Sequence, residues 1–286
     1  MLFLNISITD RCPELSYLST MILNMIIKKT KLIRGLRTGT SSLQSSCPSI
    51  LISVEGNVGA GKSTLIELLK DRHDDWIFIP EPVGEWSAIK NQDGQSLLEM
   101  YYEDKERWSY SFQSCALLSR FQNIQEALLL PSKSNGFIRK LSEAGDLDAR
   151  SVFVTERCLD TDYYVFAKML RDNGSMDRLE FDLYDRLYRH LRVSMTAHLS
   201  AIILVDTSPV DCLERIKTRN RMGESNLSLE YLSVVEKYQQ DWMSSLNVPV
   251  IKTDGAAVGS AMSEIESFVN RQIVSSRDRR TYNVCM

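Results

Sequence analysis

An apolar run, Ile50-Leu51-Ile52-Ser53-Val54, stops in the glycine-rich turn Glu55-Gly56-Asn57-Val58-Gly59-Ala60-Gly61-Lys62-Ser63-Thr64. A second apolar stretch, Leu65-Ile66-Glu67-Leu68-Leu69, follows at once. The pattern G-x-x-x-x-G-K-[ST] falls on Gly56, Gly61, Lys62 and Ser63. A strand before it and a helix after it make the setting in which it cradles phosphate. Gly56, Gly59 and Gly61 leave room for backbone N–H groups to turn inward on phosphate oxygens. The helix that starts near Lys62 adds its positive dipole end. The backbone from Gly56 through Asn57, Val58, Gly59 and Ala60 to Gly61, with Thr64 beside it, is the expected phosphate cradle. Lys62 is expected to reach the β- and γ-phosphates of a nucleoside triphosphate, and Ser63 to ligate Mg²⁺.

Four more short β-rich runs follow, at 76–79, 151–155, 201–205 and 248–252. Most are continuously apolar rather than alternating, as parallel strands buried on both faces are. Helical spacing marks 62–71, 95–104, 106–130, 161–172, 176–198, 209–220, 228–245 and 257–274. Strand and helix alternate, so the expected class is α/β, a five-stranded parallel sheet flanked by helices. Pro80 and Pro82 break the chain after the second strand, and 131–150 reads as a polar surface loop.

The totals exclude several functions. A net charge of −3 gives no broad basic footprint for nucleic acid. No apolar run reaches the length of a membrane span. Six cysteines lie scattered without a C-x-x-C pair, which argues against structural zinc and a disulfide framework and fits a reducing, intracellular compartment. Residues 15–54 carry no Asp or Glu, yet include Lys28, Lys29, Lys31, Arg34 and Arg37. This basic, serine-rich stretch reads either as a mitochondrial import signal or as a solvated extension, with the cytoplasm as the default location. The expected division is a leader at 1–48, one catalytic domain at 49–275 and a tail at 276–286.

Ligands of such sheets sit beyond the carboxyl ends of the strands. The second strand delivers Glu81, between two prolines; the third delivers Glu156 and Arg157; the fourth delivers Asp206. Glu81 is either a general base for an acceptor hydroxyl or an ordinary loop carboxylate. Glu156 and Asp206 both suit a metal-side carboxylate, and spacing does not choose between them. Arg215, Arg219 and Arg221 form either a lid over donor phosphates or a solvated basic helix end. Tyr101, Tyr102, Trp108, Phe112 and Phe121 crowd one region with Gln113 and Arg120 among them. Two polar residues on an aromatic face need partners, which a base-binding slot would supply.

These residues resemble the deoxynucleoside kinases of the deoxycytidine, deoxyguanosine and insect multisubstrate type. The likeness runs over roughly residues 50 to 255, through Glu55–Thr64, Glu81-Pro-Val-x-x-Trp86, Tyr102-Glu-x-x-x-Arg-Trp108, Phe112-Gln113, Glu156-Arg157 with Asp162, Arg215-Ile-x-x-Arg-x-Arg221 with Glu224, and Leu229-Glu-Tyr231. The resemblance implies a P-loop kinase fold with an arginine-bearing lid, ATP as donor, Mg²⁺ as cofactor, a deoxynucleoside as small-molecule acceptor, and a homodimer. It implies Glu81 as base for the sugar 5′-hydroxyl, Arg157 beside it, and Glu156 on the metal. By the same likeness Tyr102 and Glu224 hold the 3′-hydroxyl, Gln113 bonds the base edge, Phe112 and Phe166 sandwich the ring, and Trp86 walls the slot. Arg215, Arg219 and Arg221 form the lid. Ala116, Arg120 and Asp162 shape the pocket beside the base, where a charged pair is similar to the cytosine and purine branch rather than the thymidine-accepting one. The rival readings are a nucleoside monophosphate kinase and a P-loop ATPase switch acting on a protein. Cys158, the long loop 131–150, the leader and Tyr101 depart from the pattern, and Tyr101 bears on fine substrate preference.

Overall fold

The structure, a computed structural model, describes residues 49–129, 151–221, 224 and 227–283. The leader, the loop at 131–150 and the end of the tail lie outside the described residues. Strand β1 (Ile50–Glu55) takes the middle of the sheet, because both of its faces are apolar. Ile50, Ile52 and Val54 pack with Leu65, Leu69, Ile203, Ile265 and Val269 on one side. Leu51 packs with Ile79, Ile124 and Phe153 on the other. Each such side chain taken out of water is worth about 1.5–3 kcal/mol. Strands β2 (Ile77–Ile79), β3 (Val152–Glu156), β4 (Leu199–Asp206) and β5 (Val250–Asp254) complete a wholly parallel sheet of order β2-β3-β1-β4-β5. The register sets Val54 beside Glu156 and Ile203, so the strand ends that carry Glu55, Glu156 and Asp206 finish together. The chain leaves β1 toward β2 and β3 and returns across it to β4, which opens a crevice at that reversal.

The helices are α1 (Lys62–Lys70), α2 (Val83–Ala88), α3 (Leu97–Glu103), α4 (Lys105–Leu129), α5 (Leu159–Thr161), α6 (Lys168–Asp172), α7 (Arg178–Ser194), α8 (Pro209–Arg219), α9 (Leu229–Ser244) and α10 (Met262–Asn283). Side chains start several of them. Ser96 and Glu99 form a capping box on α3, Asp177 and Glu180 one on α7, and Ser208 and Ser228 cap α8 and α9. Helix α1 starts instead on Gly61, at φ 105°, with no side-chain cap. Its first N–H groups are left for a ligand. The long helix α4 turns Gln113, Ala116 and Arg120 along one buried stripe toward the crevice.

Three local features differ from the sequence reading. Helix α2 starts directly after Pro82, where a break was expected; proline is tolerated at a helix start because its missing N–H has no partner there. The expected helix at 161–172 contains a π-helical stretch, Asp162–Ala167. The last helix begins later than expected and runs to Asn283, through a polar stretch whose lack of an apolar face hid its period. No helix among the described residues is long and apolar enough to cross a membrane.

Candidate active site

A cavity of about 700 Å³ opens beyond the ends of β1, β2 and β3. Val58, Gly59, Gly61, Lys62, Ser63 and Thr64 line it from the glycine turn. Gly56, Asn57 and Ala60 shape that turn from behind. The Gly56 carbonyl accepts from Arg157 Nη2 (3.2 Å), the Asn57 side chain ties Leu232 O to Val58 N (2.8 Å each), and the Ala60 carbonyl accepts from Thr207 Oγ1 (2.9 Å) and Arg215 Nη1 (2.8 Å). Gly59 sits at φ 80°, and a Cβ there would lie 2.7 Å from the Cys212 carbonyl, so no other residue fits.

Lys62 donates to the Asn57 carbonyl (2.9 Å) and lies 3.9 Å from Glu156 Oε1. Burial lowers its ammonium to about 8, helped by Arg157 and opposed by Glu156 and Glu81. The Ser63 hydroxyl donates to the Glu156 carboxylate (3.0 and 3.2 Å). Hydroxyl and carboxylate oxygens together suit a hard cation such as Mg²⁺. The described residues hold no cluster of three His, Cys, Asp or Glu, so such an ion would rely on donor phosphates and water for its other ligands. Asp206, the other carboxylate considered from the sequence, is exposed at the end of β4 and lines a separate pocket with Asp254.

Glu81 lies across the cavity, its side chain 14 % exposed. Its Oε1 accepts from Arg120 Nη2 (3.2 Å) and Arg157 Nη1 (3.4 Å). Burial alone would raise its carboxyl, but Arg157, Arg120 and Lys62 outweigh burial and lower it to about 2. Arg120 spends its other donors on Asp162 (Nε 2.8 Å, Nη2 3.3 Å) and the Glu156 carbonyl (Nη1 2.6 Å). Arg157 takes the left-handed backbone at φ 64°, fixed by its N–H on Val54 O (3.1 Å) and by Thr155 Oγ1 on its own carbonyl (2.9 Å). That turn aims its guanidinium into the crevice, 4.8 Å from the Phe166 ring.

The rest of the cavity is an aromatic slot. Trp86 donates to Ser119 Oγ (2.9 Å) and meets Phe112 edge-on at 5.3 Å. Phe112 stacks on Tyr101 at 4.3 Å. Gln113, Ala116, Arg120, Asp162 and Phe166 line the slot, and Gln113 Oε1 is buried without a partner. Tyr102, Glu224 and Tyr231 line the far end. Glu224 accepts from Arg221 Nη1 (3.2 Å) and from Arg219 Nη2. Every acceptor-site residue expected from the sequence therefore meets in one cavity. Leu98, Tyr231 and Gly255 also line it and had no expected role. For Gly255 the only sequence signal is a glycine directly after a strand. A Cβ there would lie 1.9 Å from Thr207 Oγ1.

Sheet order, glycine turn and polar crevice define a P-loop phosphotransferase. A family model described as "Deoxynucleoside kinase" matches residues 52–274. The chain is 34 % identical over 226 residues to deoxycytidine kinase 2 of Gallus gallus, covering 73 % of this chain and 80 % of that protein. It is 32 % identical over 222 residues to deoxycytidine kinase of Homo sapiens (69 % and 80 %). It is also 32 % identical over 211 residues to mitochondrial deoxyguanosine kinase of Xenopus laevis (70 % and 75 %). The chain belongs to the deoxynucleoside kinase family. It is a deoxynucleoside kinase, a phosphotransferase of nucleotide salvage, and its family implies ATP as phosphate donor.

The low value of Glu81 has a testable origin. Because it lies below the ordinary 4.5, its contacts stabilise the fold above about pH 4.5, and that contribution is lost as pH falls toward 2. Removing one cation should raise it. In Arg120→Met, carbon NMR of glutamate-labelled protein should record Glu81 titrating about 1–3 units higher than in the wild type. An unmoved titration would assign the effect to Arg157 and Lys62 alone.

Proposed function

We propose that this kinase phosphorylates the 5′-hydroxyl of deoxycytidine and purine deoxynucleosides in preference to thymidine. The observation that carries the reading is the Arg120 guanidinium, 2 % exposed, bridging Glu81 to Asp162 inside the slot. A charged pair there occupies the volume a thymine methyl needs and offers hydrogen bonds to an amino-bearing or purine ring. Breaking one partner would leave a buried charge uncompensated, at about 3–5 kcal/mol.

In this reading Glu81 accepts the 5′-hydroxyl proton as that oxygen bonds to the γ-phosphorus and the bond to the β-phosphate oxygen breaks. Its low basicity suits a loose transition state, in which alignment matters more than early proton removal. Arg157 holds Glu81 and meets the developing charge on the transferred group. Lys62 and the glycine turn hold the donor phosphates. Mg²⁺ bound by Ser63 and Glu156 would neutralise phosphate charge. Tyr102 and Glu224 fix the 3′-hydroxyl, Gln113 bonds the base edge, and Phe112, Phe166 and Trp86 enclose the ring. Arg219 and Arg221 leave Glu224 for the phosphates as the site fills, while Arg215 keeps its hold on the turn.

Glu81→Gln should lower turnover about 10²–10⁴-fold while nucleoside affinity, read by calorimetry, stays within a few-fold. Near-normal turnover would remove Glu81 as the base. Arg120→Met/Asp162→Ala should admit thymidine in an assay of all natural deoxynucleosides, and an unchanged acceptor ranking refutes the pocket assignment. A homodimer is supported by Leu179, Leu183 and Val193, which stand exposed on one face of α7, opposite its buried Phe181, Tyr184, Tyr188 and Leu191. Sedimentation should give twice the mass of one chain, and Leu183→Glu should halve it; a wild-type monomer counts against the dimer.

A further inference from the structure

Thr207 takes part in no step described above, yet its hydroxyl is tied to the glycine turn 147 residues earlier in the chain. The residue follows β4 directly and is 8 % exposed. Its Oγ1 donates to the Ala60 carbonyl at 2.9 Å, and Arg215 Nη1 donates to the same oxygen at 2.8 Å. Gly255, directly after β5, packs over this bond. A Cβ on it would lie 1.9 Å from Thr207 Oγ1 and 2.5 Å from the Ala60 oxygen. Thr207 does not itself line the large cavity; it lines the neighbouring pocket with Asp206 and Asp254.

The peptide plane turns this bond into a statement about the ligand. In a trans peptide the C=O and the following N–H point in opposite directions. The Ala60 oxygen is drawn toward Thr207, behind the turn, so the Gly61 N–H is turned toward the cavity that Gly61 lines. Gly61 sits at φ 105° and has no Cβ to oppose a reversal of that peptide. Its orientation is therefore set from outside. A reversed peptide would present a carbonyl oxygen to the donor phosphates in place of an N–H, and two negative ends would meet.

Two side chains prevent that reversal, and they differ in kind. Arg215 is a cation that also lines the cavity. Thr207 is neutral and buried, so an entering triphosphate has no charge by which to draw it away.

We propose that Thr207 is a positioning residue for the phosphate donor: its hydroxyl locks the Ala60–Gly61 peptide with the Gly61 N–H toward the cavity, and so sets the grip of the turn on a triphosphate whatever base that donor carries. The proposal rests on the reading in which the glycine turn holds the donor phosphates.

Thr207→Val removes the hydroxyl and keeps the branched shape, and Thr207→Ser restores the hydroxyl. In Thr207→Val the Kd of ATP, read by calorimetry, should rise about 10-fold, the effect of losing one hydrogen bond to a charged group. The same factor is expected for GTP and UTP, which share the triphosphate and differ in the base. The KM of deoxycytidine should stay within about two-fold of the wild type while kcat/KM for ATP falls at least as far as its affinity. Thr207→Ser should recover most of the lost ATP affinity. Thr207→Ala, smaller than valine beneath Gly255, should repeat the loss and stands in for a valine variant that does not fold. Unchanged ATP affinity in a folded hydroxyl-free variant overturns the proposal, and a lower melting temperature beside it would mark a bond that only holds the fold. Losses that differ among the three triphosphates would make Thr207 a base contact in the neighbouring pocket and overturn it too. So would a matching loss for deoxycytidine, the mark of general damage. Intact ATP affinity in Lys62→Ala would instead remove the phosphate-holding role of the turn itself, a result distinct from a silent Thr207.

Discussion

The Arg120 guanidinium lets groups coexist that would otherwise repel or desolvate one another. Glu81 and Asp162 are two carboxylates in one water-poor crevice, and each raises the cost of ionising the other. Arg120 lies between them and donates to both, and its remaining donor ends on the Glu156 carbonyl. Its planar fork, with donors in fixed directions, is what makes three simultaneous contacts available; an ammonium would serve them only as a point charge. Through these bonds α4, the end of β3 and the π-helical stretch hold a common position around Glu81. The cluster's balance is therefore electrostatic as well as steric. Glu81 is driven down by its cations, while burial pushes Asp162 up despite the same arginine.

Two departures from regular backbone serve that cluster. Arg157 holds a left-handed conformation that costs about 1–2 kcal/mol for a residue with a Cβ. The cost is offset by its N–H bond to Val54 and by Thr155 bonding its carbonyl. The π-helical stretch that follows carries both Asp162 and Phe166 to the cavity wall. Wide turns of this kind are frequent at functional sites.

What could be read in the sequence divides along the same line. Short-range features were legible: the glycine turn and the continuous apolar runs of a buried parallel sheet. The family likeness then brought Glu81, Gln113, Arg120 and Asp162 into view as one pocket. What could not be read was convergence. Arg120 meets its three partners across 39, 36 and 42 residues of chain, and no local pattern encodes three such contacts on one guanidinium. Spacing left Glu156 and Asp206 equal; in the fold Ser63 turns its hydroxyl to the former, while the latter stands exposed and lines another pocket. Helix α2 was hidden by two prolines, and the length of α10 by a surface without an apolar stripe. Gly255 became informative only once Thr207 and Ala60 were beside it.

The cations of this site are already partnered by the protein. Lys62 rests on the Asn57 carbonyl, Arg215 on the Ala60 carbonyl, Arg157 on the Gly56 carbonyl, and Arg219 and Arg221 on Glu224. In the proposed reading a triphosphate wins Lys62, Arg219 and Arg221 from existing contacts while Arg215 keeps its own, so its affinity is the difference between two sets of bonds rather than the sum of one. The difference is uneven. A carbonyl oxygen is a neutral acceptor, so exchange for a phosphate oxygen is a gain in charge. Glu224 is a carboxylate, and releasing Arg219 and Arg221 from it gains little unless the freed carboxylate finds another donor. A sugar hydroxyl beside Tyr102 is such a donor. In the proposed reading, acceptor binding beside Tyr102 would thus lower the cost of freeing Arg219 and Arg221, which the same carboxylate holds. The same four residues, Tyr102, Arg219, Arg221 and Glu224, would then report the presence of the sugar to the phosphates without any movement of the sheet.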